Sequence, residues 1–321
     1  MTAIHDILII GGGPAGLTAA IYSARELLST LVLEKGGCGG WPAITDRIEN
    51  YPGFPEGIAG PDLAERMKAQ AARFGASLLE SVEAASAAEE GGTFRVRGAA
   101  GEFAGRALIV ASGARHKTLG IPGEREFLGK GVSYCGTCDG PLFRNREVAV
   151  IGGGDTALEE ARFLSRFASR VHLVHRRDRF RGARVLEEDL RKNGKVSFVL
   201  NALPQAILGK SSVEALLYRD KATGEEKRIA LSGVFVFVGQ EPNSACVRGL
   251  VELDGNGSVL TDGMMRASRP GVFAAGDVRA GNIRQVSAAV GEGAAAAIAA
   301  RDYLDAAKSP PRSGITANLH E

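Results

Sequence analysis

Short apolar runs that lead into glycine-rich turns are the most regular pattern in this chain, and they occur twice in the same form. Residues 6–10 (DILII) lead into GGGPAG at 11–16, and residues 147–151 (EVAVI) lead into GGGDTA at 152–157. Each turn is followed by a helical pattern and then by a second apolar run, at 30–34 and at 170–175. A strand, a tight turn, a helix and a second strand form the βαβ unit that binds dinucleotides. The sequence therefore predicts two such units.

The rest of the apolar pattern predicts how these two units are joined. It indicates a helix at 60–74, strands at 93–96, 107–111, 196–200, 213–218, 234–238 and 271–277, and a helix at 286–304. Residues 113–120 resemble a linker, and the loop-forming residues 239–243 (GQEPN) mark a second crossing. We therefore predict an α/β protein of two Rossmann-like, three-layer domains. A domain at 118–245 is inserted into a discontinuous domain made of 1–117 and 246–321.

The composition narrows the class of protein without identifying a chemistry. The 321 residues are 45% hydrophobic and 24% charged, with a net charge of +2, so neither a nucleic-acid partner nor a membrane partner is implied. The apolar run at 7–10 is too short for the core of a signal peptide. Four cysteines are too few for a disulfide-stapled secreted protein. A cytoplasmic location is the expectation.

Two of these cysteines, Cys135 and Cys138, form a CxxC motif in the stretch YCGTCDG, shortly before the second glycine-rich turn. Such a pair can be a redox-active dithiol, half of a zinc site or a pair of inert thiols. Zinc requires four ligands, and neither a second CxxC nor a close Cys/His pair is present, so no metal site is expected. A redox role is favoured because the pair accompanies two nucleotide-binding patterns.

The end of the second strand in each unit distinguishes the two nucleotides. In the first unit it carries Glu34, whose carboxylate would accept a hydrogen bond from a ribose 2′-hydroxyl and would repel a 2′-phosphate, which suits FAD or NAD(H). In the second unit the same place reads HRRDRFR, and Arg176, Arg177 and Arg181 can surround the 2′-phosphate of NADP(H). A solvated strand end and a solvated basic turn are the simpler alternatives.

In order along the chain, the motifs are GGGPAG, ENYPGFPEGIAG, ASGA, SYCGTCDG, GGGDTALEEA, HRRDRFR and GVFAAGDVRAGNIRQ. With these motifs the chain resembles the bacterial-type, low-molecular-weight thioredoxin reductases, from about residue 6 to residue 304. The larger glutathione-reductase branch carries its cysteine pair near the first fingerprint, and this chain does not. The resemblance implies FAD in the discontinuous domain, NADPH in the inserted domain, a homodimer, and thioredoxin or a thioredoxin-like protein as partner.

The resemblance also implies site residues. The expected FAD site is Gly11, Gly13, Pro14, Ala15, Gly16, Glu34, Thr45, Asn50, Gly276, Asp277, Arg284, Gln285 and Val286. The expected NADPH site is Gly152, Gly154, Asp155, Thr156, Ala157, His175, Arg176, Arg177 and Arg181. The expected catalytic residues are Cys138 as the thiol next to the flavin, Cys135 as the thiol that attacks the substrate, and Asp139 as the proton carrier.

Several points stay open at this stage. Trp41 stands where the family usually has glutamine, and it either stacks near the flavin or adenine or packs against the protein surface. Asp139 is alternatively a helix cap, and residues 142–144 (LFR) are either a partner-contact surface or core. Cys38 and Cys246 are expected to be incidental. The competing functions are a related flavin disulfide reductase with another thioredoxin-like partner or electron donor, and a non-enzymatic flavoprotein redox sensor.

Overall fold

The chain divides into two compact units, in a computed structural model that describes residues 3–45 and 47–308. The first unit takes in the described residues of Met1–Arg47, Tyr51–Ala114 and Pro242–Glu321. The second contains Ile48–Asn50 and Arg115–Glu241. Among the described residues, no helix is both long enough and apolar enough to cross a membrane.

A seven-stranded sheet with the order β5-β2-β1-β8-β7-β6 forms the centre of the first unit, and β19 pairs with β8. Its strands are β1 (Ile4–Ile10), β2 (Thr30–Leu33), β5 (Ser77–Leu79), β6 (Ser86–Glu90), β7 (Thr93–Gly98), β8 (Gly101–Val110) and β19 (Val272–Ala274). A short two-stranded sheet pairs β3 (Arg47–Ile48) with β4 (Ile58–Ala59). The pairs among β1, β2, β5, β8 and β19 are parallel, whereas β6, β7 and β8 form an antiparallel meander.

Three helices complete the first unit: α1 (Pro14–Arg25), α2 (Gly60–Arg73) and α6 (Val286–Lys308). The four consecutive residues Ile7–Ile10 of β1 are all buried, as expected for a parallel strand covered on both faces. On one face, Leu8 and Ile10 pack with Phe94 and with residues of 246–278. Helices α1 and α6 pack against each other, and both contact β8.

The second unit is built on a five-stranded parallel sheet with the order β10-β17-β11-β12-β13. Its strands are β10 (Val132–Ser133), β11 (Glu147–Gly152), β12 (Arg170–Val174), β13 (Val196–Val199) and β17 (Gly233–Phe237). The helices are α3 (Gly136–Asp139), α4 (Asp155–Leu164) and α5 (Arg184–Lys192). An antiparallel sheet consists of β14 (Ala202–Gly209), β15 (Val213–Asp220) and β16 (Glu226–Ala230).

These elements form three layers in the second unit. Alternate residues of β11 separate two cores: Val148 and Val150 pack with α4, whereas Ala149 and Ile151 pack with residues of β14 and β15. The third layer is therefore an antiparallel sheet, which the apolar pattern indicated only through the strand at 213–218. Residues 239–243 also differ from the predicted loop, because β18 (Gln240–Pro242) pairs with β9 (Ala114–His116) in a two-stranded sheet.

Candidate functional site

The first glycine-rich turn, between β1 and α1, is closed on one side and open on the other. Gly11 has φ +105°, and a Cβ added there would lie 2.3 Å from the carbonyl oxygen of Ala111. A Cβ at Gly16 would lie 1.9 Å from the carbonyl oxygen of Gly11, so only glycine fits at both places. At Gly13 the nearest atom is 3.9 Å away, and Pro14 then begins α1. The open side and the helix N-terminus are what a pyrophosphate requires.

Glu34 follows β2 directly and is held at this turn by two backbone hydrogen bonds. The amide of Gly12 donates to its Oε2 at 2.7 Å, and the amide of Gly36 donates to its Oε1 at 2.9 Å. Each carboxylate oxygen has a second lone pair, which a ribose hydroxyl can use. The predicted position of Glu34 beside the first turn therefore fits a dinucleotide without a 2′-phosphate.

The segment after β19 also packs against the first turn. Gly276 has φ +78°, its amide donates to Oε2 of Glu292 at 2.8 Å, and a Cβ added there would lie 3.0 Å from the Cβ of Ala15. A Cβ at Gly293 in α6 would lie 2.2 Å from the carbonyl oxygen of Ala15. Asp277 comes next, and burial raises the pKa of its carboxyl group. The structure thus brings Gly276 next to Ala15, which is far from it in sequence, and Asp277 directly follows Gly276.

The remaining predicted FAD residues of this segment lie at the start of α6. Arg284 is exposed and has a left-handed backbone with φ +60°. The carbonyl of Gln285 accepts a hydrogen bond from the amide of Ala289 at 2.9 Å, and Val286 is the first residue of α6. Arg284 and Gln285 thus lead directly into the N-terminus of α6, which begins at Val286.

Two other predicted FAD residues, and the tryptophan that departs from the family pattern, lie between α1 and α2 in the chain. Thr45 Oγ1 donates to the carbonyl of Trp41 at 2.9 Å, and Trp41 Nε1 donates to the carbonyl of Ala114 at 3.2 Å. Trp41 is half-buried, and this hydrogen bond fixes its indole ring within the first unit. Asn50 differs from the other predicted FAD residues, because the segment Ile48–Asn50 groups with the second unit.

The second glycine-rich turn, between β11 and α4, has the same closed and open sides. A Cβ at Gly152 would lie 2.5 Å from the carbonyl oxygen of Phe237, and one at Gly153 would lie 2.1 Å from the ring of His175. Gly154 precedes α4 and has no atom within 4 Å of an added Cβ. The outer face at Gly154 is therefore free for a phosphate at the N-terminus of α4.

The loop after β12 folds over this turn. Its Arg181 and Gly182 amides donate to the carbonyl of Gly153 at 2.7 and 3.1 Å. Asp155, the first residue of α4, accepts a hydrogen bond at Oδ1 from the amide of Ala183 at 2.6 Å. Asp155 therefore braces the loop. The next two residues of α4 are Thr156, which is exposed, and Ala157, which is buried.

Positive charge is concentrated on the same loop. Arg176, Arg177 and Arg181 are exposed, and none of these guanidinium groups forms an ion pair or hydrogen bond with the described residues. His175 is buried and stacks on Phe180 with ring centroids 5.3 Å apart, and burial lowers the pKa of His175. Its Nε2 is buried and has no partner among the described residues. Three unpaired arginines beside a phosphate-binding turn fit NADPH.

The CxxC motif forms a disulfide between Cys135 and Cys138, whose Cα atoms are 5.3 Å apart. Cys135 is the N-cap of α3, and its Sγ accepts a hydrogen bond from the amide of Cys138 at 3.1 Å. The same amide would stabilise a thiolate on Cys135 after reduction. Asp139 is the last residue of α3 and makes no capping hydrogen bond to the 3-10 turn that follows.

Helix α4 supports this turn from behind. A Cβ at Gly140 would lie 2.9 Å from Leu164 and 3.3 Å from Phe163, and one at Gly136 would lie 1.9 Å from Oε2 of Glu160. The helix that starts at the second glycine-rich turn is therefore also the support for the disulfide. Sequence reasoning did not single out Glu160, and the only available signal was a glutamate pair on an amphipathic helix.

Residues near the motif and the other cysteines have simpler roles. Phe143 is buried against Phe235, with ring centroids 5.2 Å apart, while Leu142 is exposed, so the segment 142–144 is partly core and partly surface. Cys38 and Cys246 are buried free thiols. Burial raises the pKa of Cys38 to about 12 and also raises the pKa of Cys246. Among the described residues, no group of three or more His, Cys, Asp or Glu side chains could hold a metal ion.

The chain matches known proteins over almost its whole length. Residues 5–293 match the family described as pyridine nucleotide-disulphide oxidoreductase. The chain is 44% identical over 308 residues to a thioredoxin reductase of Treponema pallidum (strain Nichols), a match that covers 95% of this chain and 99% of that protein. It is 47% identical over 304 residues to a bifunctional thioredoxin reductase/thioredoxin of Mycobacterium leprae (strain TN), covering 94% of this chain and 66% of that longer protein.

A solved structure agrees with the sequence matches. The crystal structure of thioredoxin reductase from Streptococcus pyogenes MGAS5005 superposes with a TM-score of 0.91 at 39% identity. The match covers 95% of this chain and 100% of that chain.

Proposed function

Because this chain belongs to the pyridine nucleotide-disulphide oxidoreductase family, we propose that it is an NADPH-dependent flavoprotein disulfide reductase whose substrate is thioredoxin. The observation that carries the proposal is the Cys135–Cys138 disulfide on a turn supported by α4, the helix that begins at the second glycine-rich turn. A redox pair and a nucleotide-binding turn thereby share one helix. The relatives named thioredoxin reductase support the choice of substrate.

The glycine-rich turns and their neighbours fit two different cofactors. We assign FAD to the first unit, where the turn, Glu34, Asp277 and the start of α6 would hold it. We assign NADPH to the second unit, where the three arginines of the loop after β12 would hold the 2′-phosphate. When bound, NADPH would supply a hydride and FAD would supply two electrons for reduction of the disulfide.

Cys135 and Cys138 then carry the electrons to the protein substrate. The Cys135 thiolate attacks one sulfur of the substrate disulfide, which forms a mixed disulfide and releases the other substrate sulfur as a thiolate. Cys138 attacks Cys135 Sγ, which restores the Cys135–Cys138 bond and releases the second substrate sulfur. Two electrons and two protons are thus transferred to the substrate. The amide hydrogen bond to Cys135 Sγ favours Cys135 as the attacking thiol.

Asp139 is the proposed proton carrier for this exchange. It lies one residue after Cys138 at the end of α3, and it is only partly buried, so it can exchange protons with both the dithiol and solvent. Asp139 is also the N-cap residue of the 3-10 turn at 140–143, to which its side chain makes no capping hydrogen bond.

The assembly and location of the enzyme are part of the same proposal. We propose a homodimer in the cytoplasm, which sedimentation of the holoenzyme and fractionation of cells would test. A monomer in sedimentation, or the protein in a secreted fraction, would contradict it. The Mycobacterium leprae relative, named for both activities, supports thioredoxin as the partner.

Removing an arginine from the basic loop is expected to weaken the choice of NADPH over NADH. For Arg176→Ala or Arg177→Ala, KM for NADPH should rise about 10- to 100-fold, because each loses a charge-assisted hydrogen bond of about 1.5–3 kcal/mol. The kinetics with NADH should not change, since NADH has no 2′-phosphate. Steady-state assays with both nucleotides and thioredoxin measure this.

The matched control is Arg179→Ala, which removes an exposed charge from the same loop at a position outside the predicted site. It should change KM for NADPH much less than the other two substitutions. Equal effects of all three substitutions would show a general electrostatic attraction instead of a phosphate site. Wild-type protein that uses NADH as well as NADPH would contradict the cofactor assignment itself.

A further inference from the structure

A buried carboxyl group lies against the turn between the two redox cysteines. Glu160 is on α4, and its Oε2 is inaccessible to solvent and has no hydrogen-bond partner among the described residues. A Cβ added to Gly136 would lie 1.9 Å from this oxygen, so the carboxyl group occupies the space that the missing side chain leaves. Gly136 directly follows Cys135 in the CxxC motif and is itself buried. The contact thus puts an acidic group directly behind the disulfide turn.

The surroundings of Glu160 leave its charge uncompensated. Burial, and then the charge of Glu159, raise the pKa of Glu160 to about 7. Helix α4 packs against α3, α5, β11, β12 and the 3-10 turn at 140–143. The charged or titratable residues on α4 itself and on these elements are Asp155, Glu159, Arg162, Cys135, Cys138, Asp139, Arg184, Glu187, Glu188, Asp189, Arg191, Lys192, Glu147, Arg170 and His172.

Most of these groups are paired with each other. The ion pairs among them are Arg162–Asp189, Arg184–Glu188 and Arg191–Glu187, and His172 is hydrogen-bonded to Glu147. The charge of Glu159 raises the pKa of Glu160 in the same direction as burial does. Among the described residues no cation forms an ion pair with Glu160, so a new negative charge on a cysteine would raise the pKa of its carboxyl group further.

We propose that Glu160 is a positioning residue that couples reduction of the Cys135–Cys138 disulfide to the uptake of a proton behind the CxxC turn. Reduction creates a thiolate on Cys135, the residue directly before Gly136 in the chain, and two like charges in a poorly solvated place repel each other. Protonation of Glu160 removes this repulsion. Glu160 contacts the turn at Gly136, so we infer that it acts through the electrostatic potential at the turn and not by direct proton transfer.

The proposed step balances when dithiothreitol is the reductant. Its two thiols close into a ring disulfide and give up two electrons and two protons, while the Cys135–Cys138 bond breaks. One proton stays on one cysteine as a thiol, the other cysteine remains a thiolate, and the second proton converts the Glu160 carboxylate to the acid. The net charge is unchanged, because one carboxylate is replaced by one thiolate.

The inference rests on the proposed function but is tested without NADPH and without thioredoxin. The holoenzyme is equilibrated with mixtures of reduced and oxidised dithiothreitol across the pH range, quenched with acid and alkylated. Mass spectrometry of the peptide that carries Cys135 and Cys138 then gives the equilibrium constant for reduction. Failure of this test overturns the inference and leaves the proposed function standing, whereas failure of the thioredoxin assay alone overturns the choice of substrate and leaves the result for the dithiol interpretable.

Glu160→Gln removes the charge and keeps the shape of the side chain. At about pH 6, where Glu160 is protonated in both redox states, the equilibrium constants of the variant and the wild type should agree. At about pH 8.5 the equilibrium constant for reduction should be about tenfold larger in the variant than in the wild type, for a rise of about one unit in the pKa of Glu160 on reduction. A ratio of the two constants that does not vary with pH would overturn the proposal, because a purely structural effect has no such dependence.

Two further variants sharpen the test. Gly136→Ala should displace the carboxyl group and reduce the same pH dependence, and it should have little further effect on that dependence in the Glu160→Gln background. Glu159→Gln is the matched control on the same helix, and it should keep the pH dependence while moving it to lower pH. Loss of the pH dependence in Glu159→Gln, or its full retention in Gly136→Ala, would contradict a role for Glu160 through its contact with the turn.

Discussion

Replacing Cys138 with serine is expected to abolish the reduction of thioredoxin while FAD stays bound. Two electrons enter by breaking the Cys135–Cys138 bond, which leaves a thiolate at this position, and a serine hydroxyl cannot form that bond. We expect kcat/KM to fall by at least about 10³-fold, or about 4 kcal/mol of transition-state stabilisation. The NADPH-dependent reduction of thioredoxin measures the loss, and the flavin absorbance of the purified variant measures the retained FAD.

The control for this variant is Cys246→Ala, which removes a buried free thiol. The side chain lies in the apolar core of the first unit, so this variant should lose some stability but keep its kcat. Thioredoxin reduction that survives in Cys138→Ser would overturn the assignment of the redox pair. A colourless Cys138→Ser protein would be assayed again after reconstitution with FAD.

Replacing Asp139 with asparagine is expected to slow thiol-disulfide exchange by about 10²- to 10⁴-fold, the usual contribution of a general acid or base. Asparagine keeps the shape of the side chain but neither accepts nor releases a proton at neutral pH. The loss should be in kcat, and the pH profile should lose one of its limbs. Steady-state rates with thioredoxin across the pH range measure both.

Asp189→Asn is the matched control, because Asp189 is an exposed acid of the same unit and its nearest charged partner is Arg162 at 3.8 Å. It should leave kcat and the pH profile unchanged. If Asp139→Asn also keeps its pH profile and loses only stability, Asp139 is a structural residue and the proton carrier lies elsewhere.

The sequence predicts the parts of this fold whose signal is local. Both glycine-rich turns lie where their patterns indicate, since the φ of Gly11 and the packing of Gly16 and Gly152 allow no side chain. Strands that are buried on both faces, such as β1, have long apolar runs and are recognised easily. The antiparallel layer is recognised only through the strand at 213–218, which is part of β15, whereas β14 and β16 mix exposed and buried residues and have no long apolar run.

The residues of the candidate site also divide into those with a local sequence signal and those without one. Glu34 and the three arginines of the loop after β12 can be predicted as site residues because a nucleotide-binding unit has fixed places for them. Contacts between distant segments are not recognised in this way: Gly276 against Ala15, and Glu160 against Gly136, depend on how α6 and α4 pack. Trp41 is a third case, since its hydrogen bond to the carbonyl of Ala114 crosses more than seventy positions of sequence.

Anaerobic stopped-flow mixing of the purified holoenzyme with NADPH and then with oxidised thioredoxin tests the proposed electron path most directly. NADPH should bleach the flavin absorbance, thioredoxin should restore it, and excess NADPH should give repeated turnovers with one thioredoxin reduced for each NADPH consumed. A flavin that NADPH does not bleach would contradict the path at its first step. If NADPH bleaches the flavin but neither thioredoxin nor another disulfide protein restores its absorbance, the proposed path is contradicted at the step through the dithiol.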